Sequence, residues 1–152
     1  MNDGLKANLR RLERLVRIRQ TLASVAEASV KQAEGEVRNL ESADSATVGN
    51  IKDTQAGIAY IRTAAGEDVQ RSETYLRALE RQRKLIQQSL EKANDNLTHR
   101  RGEWTEAMRE ERIAERLQER RLHQWQRETD TAQQKSQDDA SITRYVREQS
   151  EG

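Results

Sequence analysis

The chain has no cysteine, no proline and no phenylalanine among its 152 residues, and only 3% of the residues are aromatic. Without cysteine there is no disulfide framework and no thiolate metal site. Without proline, nothing in the chain forces a long helix to kink or end. Because 34% of the residues are hydrophobic and 35% are charged, a conventional globular core is excluded and long uninterrupted helices are expected.

An excess of one charge and long apolar runs are also missing. The 27 basic and 26 acidic residues leave a net charge of +1, whereas disordered chains usually combine high net charge with abundant proline. No segment approaches the roughly 20 apolar residues of a membrane span, and the N-terminal segment lacks the apolar core of a secretory signal. We therefore expect an ordered helical protein of the cytosol, recruited to a membrane only through a partner.

A heptad pattern runs through the first part of the chain. Apolar or small residues recur with alternating steps of four and three, which is the spacing of a coiled-coil seam. A parallel stripe of Leu15, Ile18, Leu22 and Val25 widens the apolar face beyond the need of a two-stranded seam, so a further partner is expected to pack there. The seam residues are Leu5, Leu9, Leu12, Val16, Arg19, Ala23, Ala26, Val30, Ala33, Val37 and Leu40.

A second heptad register begins after a region rich in turn residues. It weakens beyond Ala107, where only Ala114, Trp125 and scattered leucines continue it. Two helices are therefore implied. The members of this register are Val69, Ser72, Leu76, Leu79, Arg83, Ile86, Leu90, Ala93, Leu97, Arg100, Trp104 and Ala107.

The turn between the two helices is predicted at residues 63–67. There, Gly66 suits a helix C-terminus, and the acidic residues after it suit a new N-terminus. Gly49 and Gly57, in the Ser- and Thr-rich segment 42–57, are alternatives. The prediction is an all-α fold, a long two-helix antiparallel coiled-coil hairpin forming a single domain over 1–152. Its helices cover about 5–62 and 68–147, and a frayed tail follows to 152.

A turn at this place predicts the register of the hairpin. Both helices rise by the same roughly 1.5 Å per residue, so residues whose numbers add to about 132 should lie opposite each other. Trp104 is then opposite Ala26 and Val30. The small side chains of Ala23, Ala26 and Ala33 leave room for Trp104 and Met108, a fit that a turn at Gly49 would not give.

The sequence contains few of the residues and motifs that catalytic sites use. There is no thiol nucleophile, no Gly-rich loop, and only two histidines, His99 and His123, neither with a second histidine at helical metal-binding spacing. A thin helical pair also offers no concave pocket that excludes water. We expect no enzyme, no metal and no cofactor.

Two features have both a purely structural and a functional interpretation. Arginines crowd residues 10–19, as phosphate binding requires, but apolar residues interleave them at helical spacing, which favours contact with a charged protein partner over nucleic acid. Trp125 follows Trp104 by 21 residues, three heptads, and so lies on the same helix face. It is either a seam residue or a partly exposed binding anchor.

The chain resembles the FliJ/YscO family of flagellar and virulence type III protein export. The resemblance rests on the basic amphipathic opening, the heptads that follow Tyr75 after a mid-chain turn, the spacing of Trp104 and Trp125, and the polar tail near residues 133–139. It implies a non-enzymatic central stalk, cytoplasmic and peripheral to the inner membrane through its partners. Those partners would be the hexameric export ATPase, an export gate membrane protein and export chaperones, with no nucleic acid and no direct membrane insertion.

The resemblance also implies two binding regions. Leu5, Leu9, Leu12, Arg144 and Tyr145 would face the ATPase, at the end that carries both termini. The family's gate-binding surface uses apolar and aromatic residues near the turn. The matching positions are Leu40, Tyr75 and Leu79.

Where the family often has aromatic residues farther along the first helix, this chain has Ala43 and Thr47. The flagellar and the virulence assignments both stay open. Two other functions also stay open: a self-associating coiled-coil scaffold that buries the Leu15 to Val25 stripe in a homodimer, and a polyanion binder working through the arginines of residues 10–19.

Overall fold

The protein is described by a computed structural model that covers residues 2–61 and 66–151. Helix α1 spans Asn2–Ile61 and helix α2 spans Gly66–Glu151. These two helices contain every described residue, and no strand occurs within the two ranges. The two helices pack against each other, which confirms the all-α helical hairpin predicted from the heptads.

The structure places the helix ends at Asn2, Ile61, Gly66 and Glu151. Gly49 and Gly57 lie inside α1 without a positive φ, so neither is a turn. Helix α2 begins at Gly66, and Glu67 and Asp68 in its first turn carry the charge that favours a helix N-terminus. Residues 63–65 of the predicted turn lie outside the described residues. The tail predicted to fray after 147 is helical as far as Glu151, because no glycine or proline interrupts it.

The contacts of the chain fall into two compact units. One unit combines Met1–Ala23 with Glu106–Gly152, and the other is Ser24–Thr105. We refer to them as the terminal unit and the central unit. Each has its own pairing between α1 and α2, and the prediction of one domain over 1–152 stays a prediction.

Ion pairs between the helices fix the antiparallel register. In the central unit, Arg101 Nη2 lies 3.5 Å from Glu34 Oε1, and Arg83 Nε lies 3.4 Å from Asp44 Oδ1. In the terminal unit, Arg19 Nη2 lies 3.8 Å from Glu110 Oε2. The numbers in each pair add to within about five of the predicted sum, as a constant rise in both helices requires.

The core of the central unit is a cluster of four buried residues, on which Leu90, Ala93 and Trp104 also pack. Trp104 was predicted to lie opposite Ala26 and Val30, and it packs on the cluster that contains Val30. The cluster consists of Val30, Ala33, Val37 and Leu97.

The seam of α1 continues beyond Leu40 through residues that do not look like seam residues. Asp44 is half-buried, and Thr47 is buried, with 4% of its surface exposed. The Thr47 hydroxyl donates a hydrogen bond of 2.9 Å to the backbone carbonyl of Ala43, so its polar group is satisfied inside the helix. The coiled coil therefore continues through a part of the sequence that resembles a loop, because its seam residues there are polar.

Candidate partner-binding surfaces

The residues predicted to face an ATPase occupy two separate places in the terminal unit. Leu5 and Leu9 are half-buried and Leu12 is buried, so all three belong to the seam between α1 and α2. Arg144 and Tyr145 are exposed near the end of α2. From the Arg19–Glu110 register, Tyr145 lies about 30 Å along the axis beyond the residue opposite Leu5. The structure does not bring these five residues into one site.

Residues 131–151 form a fully helical segment in which every side chain is exposed. We call this segment the tail. It carries Ile142, Tyr145 and Val146, each about 60% exposed, at the spacing that places them on one face. Sequence reasoning selected Tyr145 but missed Ile142 and Val146. The signal was available, because they are the large aliphatic residues of an otherwise polar stretch.

The residues predicted to face an export gate lie along the central unit. Leu79 is 5% exposed and packs in the seam, Leu40 is half-buried, and Tyr75 is 54% exposed. The Arg83–Asp44 pair fixes the register here and leaves Leu40 about 18 Å along the axis from the residue opposite Tyr75. Only Tyr75 of the three presents most of its side chain to a partner.

The stripe predicted beside the α1 seam is uncovered. Leu15 is half-buried, whereas Ile18, Leu22 and Val25 are exposed. Sequence reasoning missed a matching pair on α2, where the side chains of Ile113 and Leu117 are also exposed. Their spacing of four places them on one face of α2. The pair is difficult to recognise in the sequence because it lies among alternating glutamates and arginines and outside the heptad seam.

Near the start of α1, Arg10, Arg11, Arg14 and Arg17 are exposed, whereas Arg19 is half-buried and pairs with Glu110. Arg17 Nη2 lies 3.5 Å from Glu13 Oε1 within the same helix face. Arg10 lines an open groove together with Leu9 of α1 and Leu122 of α2. Contact of this surface with a polyanion stays a prediction, as does the role of Trp125 as an anchor. Trp125 itself is half-buried.

The described ranges contain no group of three or more His, Cys, Asp or Glu residues placed to hold a metal ion. Within the same ranges, neither helix has a stretch long and apolar enough to cross a membrane.

Comparison with known proteins bears directly on the resemblance noted from the sequence. The family model described as the flagellar FliJ protein matches residues 8–150. No curated protein and no solved structure matches the chain. Since the match covers almost the entire sequence, the chain belongs to the FliJ family and is a protein associated with flagellar or type III export.

Proposed function

We propose that this chain is a non-enzymatic stalk and escort protein of a bacterial flagellar or type III export apparatus, located in the cytoplasm. Its terminal unit binds the hexameric export ATPase, and the surface around Tyr75 in the central unit binds the export gate membrane protein. Export chaperones are further partners. Membership of the FliJ family supports the association with export.

The exposed tail is the observation that carries the ATPase assignment. It adds 21 residues of helix with no α1 residue covering them, and its apolar side chains Ile142, Tyr145 and Val146 face solvent. Exposed apolar side chains of this size on an otherwise polar helix mark a contact surface. A single helix is also narrow enough, at about 10–12 Å across, to enter the centre of a ring of subunits.

A stalk of this kind acts on the ATPase without touching nucleotide. If its tail contacts one conformation of the ring subunits more favourably than another, it shifts the population toward that conformation. Assembly of the hexamer and the rate of ATP hydrolysis then both depend on the stalk. This mechanism needs no catalytic residue in the chain itself.

The test is steady-state ATP hydrolysis by the cognate export ATPase with increasing amounts of the purified chain. We expect stimulation that saturates at less than one chain per ATPase subunit. Tyr145→Ala should raise the half-saturating concentration at least fivefold, and Arg144→Ala should raise it by a smaller factor. Gln133→Ala is the matched control, on the opposite face of the same exposed tail, and should leave it unchanged.

Two results would overturn the ATPase assignment. One is an unchanged hydrolysis rate and hexamer population over a 100-fold range of chain concentration. The other is stimulation that the Tyr145 and control variants support equally well.

The gate assignment needs its own measurement, because Tyr75 lies in the central unit. Binding of the full chain to the soluble domain of the export gate protein is measured by titration calorimetry. Tyr75→Ala should weaken binding at least tenfold, since truncating an aromatic anchor commonly costs 2 kcal/mol or more, roughly a 30-fold loss. Leu85→Ala is the control, as Leu85 is also exposed on the same helix. Equal losses in both variants would argue against a gate surface at Tyr75.

A further inference from the structure

Two apolar surfaces of the terminal unit are left uncovered by the residues that the structure describes. The first is the tail face that carries Ile142, Tyr145 and Val146. The second is formed by side chains of both helices, and we call it the flank patch. The flank patch consists of Leu15, Ile18 and Leu22 from α1 and Ile113 and Leu117 from α2.

The flank patch is continuous because the Arg19–Glu110 ion pair joins its two rows. Leu15 and Leu22 lie one turn to either side of Arg19 on α1, and Ile113 lies one turn after Glu110 on α2. Residues one turn apart are surface neighbours, so the two rows meet along one side of the coiled coil. Several large apolar side chains are thereby exposed side by side.

The rim of the flank patch is basic. Seven arginines lie one turn from its apolar residues. Arg19, Arg109 and Arg121 are engaged with Glu110, Glu106 and Gln124, and the other four are exposed. Throughout the part of the chain that the structure describes, none of the four forms an ion pair. Their charge is therefore available to a partner. These residues are Arg11, Arg14, Arg116 and Arg120.

The apolar face of the tail is acidic. Asp138 and Asp139 precede Ile142 by one turn, and Glu148 follows Tyr145 by one turn, so the three carboxylates lie beside the apolar residues. Among the described residues, no ion pair engages any of these carboxylates.

The two arginines of this part of the tail belong to another face. Arg144 and Arg147 are not three or four residues from any of the apolar side chains. The tail therefore presents its apolar groups with three carboxylates and one cation, Lys135, which lies one turn before Asp138 and Asp139. The flank patch presents apolar and basic groups together.

A chain cannot bring its own tail onto its own flank patch. Helix α2 is continuous from Ile113 to Val146, which separates the two surfaces by roughly 45 Å along one axis. The complementary surface must therefore come from another molecule. A second copy supplies it, since each copy has one tail and one flank patch.

We propose that two copies of this chain associate reciprocally, with the tail of each on the flank patch of the other. An antiparallel overlap centred near residue 130 sets Tyr145 of one copy opposite residue 115 of its partner, and the same overlap sets residue 115 of the first opposite Tyr145 of the second. This is the closed two-fold symmetry that most homodimers adopt. Asp139 then lies opposite about residue 121, within one turn of Arg120.

The dimer has a regulatory consequence, which rests on the function proposed above. It covers Tyr145, one of the residues assigned to the ATPase, so dimer and ATPase complex exclude each other. The dimer is then a resting form, and binding of the monomer to the ATPase shifts the equilibrium away from it. Association itself requires only the two surfaces.

The first test is sedimentation equilibrium of the full chain over roughly 1–200 µM at 50 and 500 mM NaCl. A dimer is expected, with a Kd that rises at least fivefold at the higher salt because screening weakens the charge contacts. Replacing two tail residues, Ile142→Asn with Val146→Asn, should raise the Kd at least tenfold. The matched control is Gln133→Asn with Ala140→Asn, on the opposite face of the tail, and circular dichroism checks that all variants stay helical.

A charge exchange tests the pairing residue by residue. Arg120→Glu should weaken the dimer at least threefold, and adding Asp139→Arg in the same chain should restore it. Failure of the second substitution to restore the Kd would reject this register.

Disulfide trapping locates the contact, since the chain has no cysteine of its own. An Ile18→Cys copy is mixed with a Tyr145→Cys copy of different tag length, with copper phenanthroline as oxidant. The mixed disulfide should form at least tenfold faster than it does between Leu85→Cys and Tyr145→Cys copies. The proposal is overturned by a chain that stays monomeric, by a dimer that the tail variant does not weaken, or by equal trapping rates. If monomers still stimulate the ATPase, the stalk function survives that result.

Discussion

Replacing Leu97 by alanine should destabilise the central unit far more than the same replacement at Leu85. Leu97 is 7% exposed in the cluster with Val30, Ala33 and Val37, whereas Leu85 on the same helix is 64% exposed. Both changes have nearly the same effect on helix propensity, so the difference isolates tertiary packing. Buried Leu→Ala changes cost about 2–5 kcal/mol. A seam between only two helices lets water and neighbouring side chains fill part of the cavity, so we expect about 2–3 kcal/mol at Leu97 and under about 0.5 kcal/mol at Leu85.

Thermal unfolding followed by circular dichroism at 222 nm measures this difference. For a chain of this size, 1 kcal/mol shifts the Tm by about 2–4 °C, so Leu97→Ala should lower the Tm by about 4–12 °C and Leu85→Ala by less than about 2 °C. Urea unfolding at 25 °C provides an independent free energy. Equal shifts in the two variants would refute the packing of α2 on α1 in this register, and with it the reasoning from heptads to hairpin.

Three further substitutions test the polar seam, the helix interior and the register. Thr47→Val replaces a buried hydroxyl group, which is hydrogen-bonded to the Ala43 carbonyl, by a methyl group. This change should raise the free energy of unfolding by about 0.5–1.5 kcal/mol in urea titrations. A lower free energy of unfolding would mean that the hydroxyl has a second structural role. Gly102→Ala should add about 1 kcal/mol, because φ is negative there and the new Cβ meets no atom within 4 Å; a lowered Tm would contradict this. Asp44→Ala removes the ion-pair partner of Arg83 and should lower the free energy of unfolding by about 0.5–1 kcal/mol at 50 mM NaCl. The decrease should be smaller at 1 M NaCl, because both side chains reach solvent and salt screens their attraction. A decrease that does not depend on salt would reject an electrostatic origin.

The heptads predicted the helices and their register well because they express a local rule. The seam from Leu5 to Leu40 and the packing of Trp104 near Val30 follow from periodicity and a constant helical rise alone. The same rule also reaches Asp44 and Thr47, by steps of four and three from Leu40, but the seam was not recognised there because these side chains are polar and the composition around them suggests a loop. The Asp44–Arg83 ion pair and the burial of Thr47 show that the seam continues.

The candidate binding residues were less predictable, since binding depends on which side chains the partner helix leaves uncovered. Leu12 and Leu79 fit a binding role by residue type, but the facing helix covers both of them. Ile142 and Val146 were missed because their surroundings are polar, although their spacing from Tyr145 is visible in the sequence.

The sequence by itself determined that this protein is a pair of long helices with an antiparallel register. Absence of proline, balanced charge and a period of 3.5 residues are properties of each helix separately. They can be recognised in the sequence without knowing where the other helix lies. Only the tertiary structure decided which apolar residues form surfaces. The flank patch draws Ile18 from one helix and Ile113 from the other, residues 95 positions apart, and their proximity arises only when the Arg19–Glu110 register brings the two helices side by side.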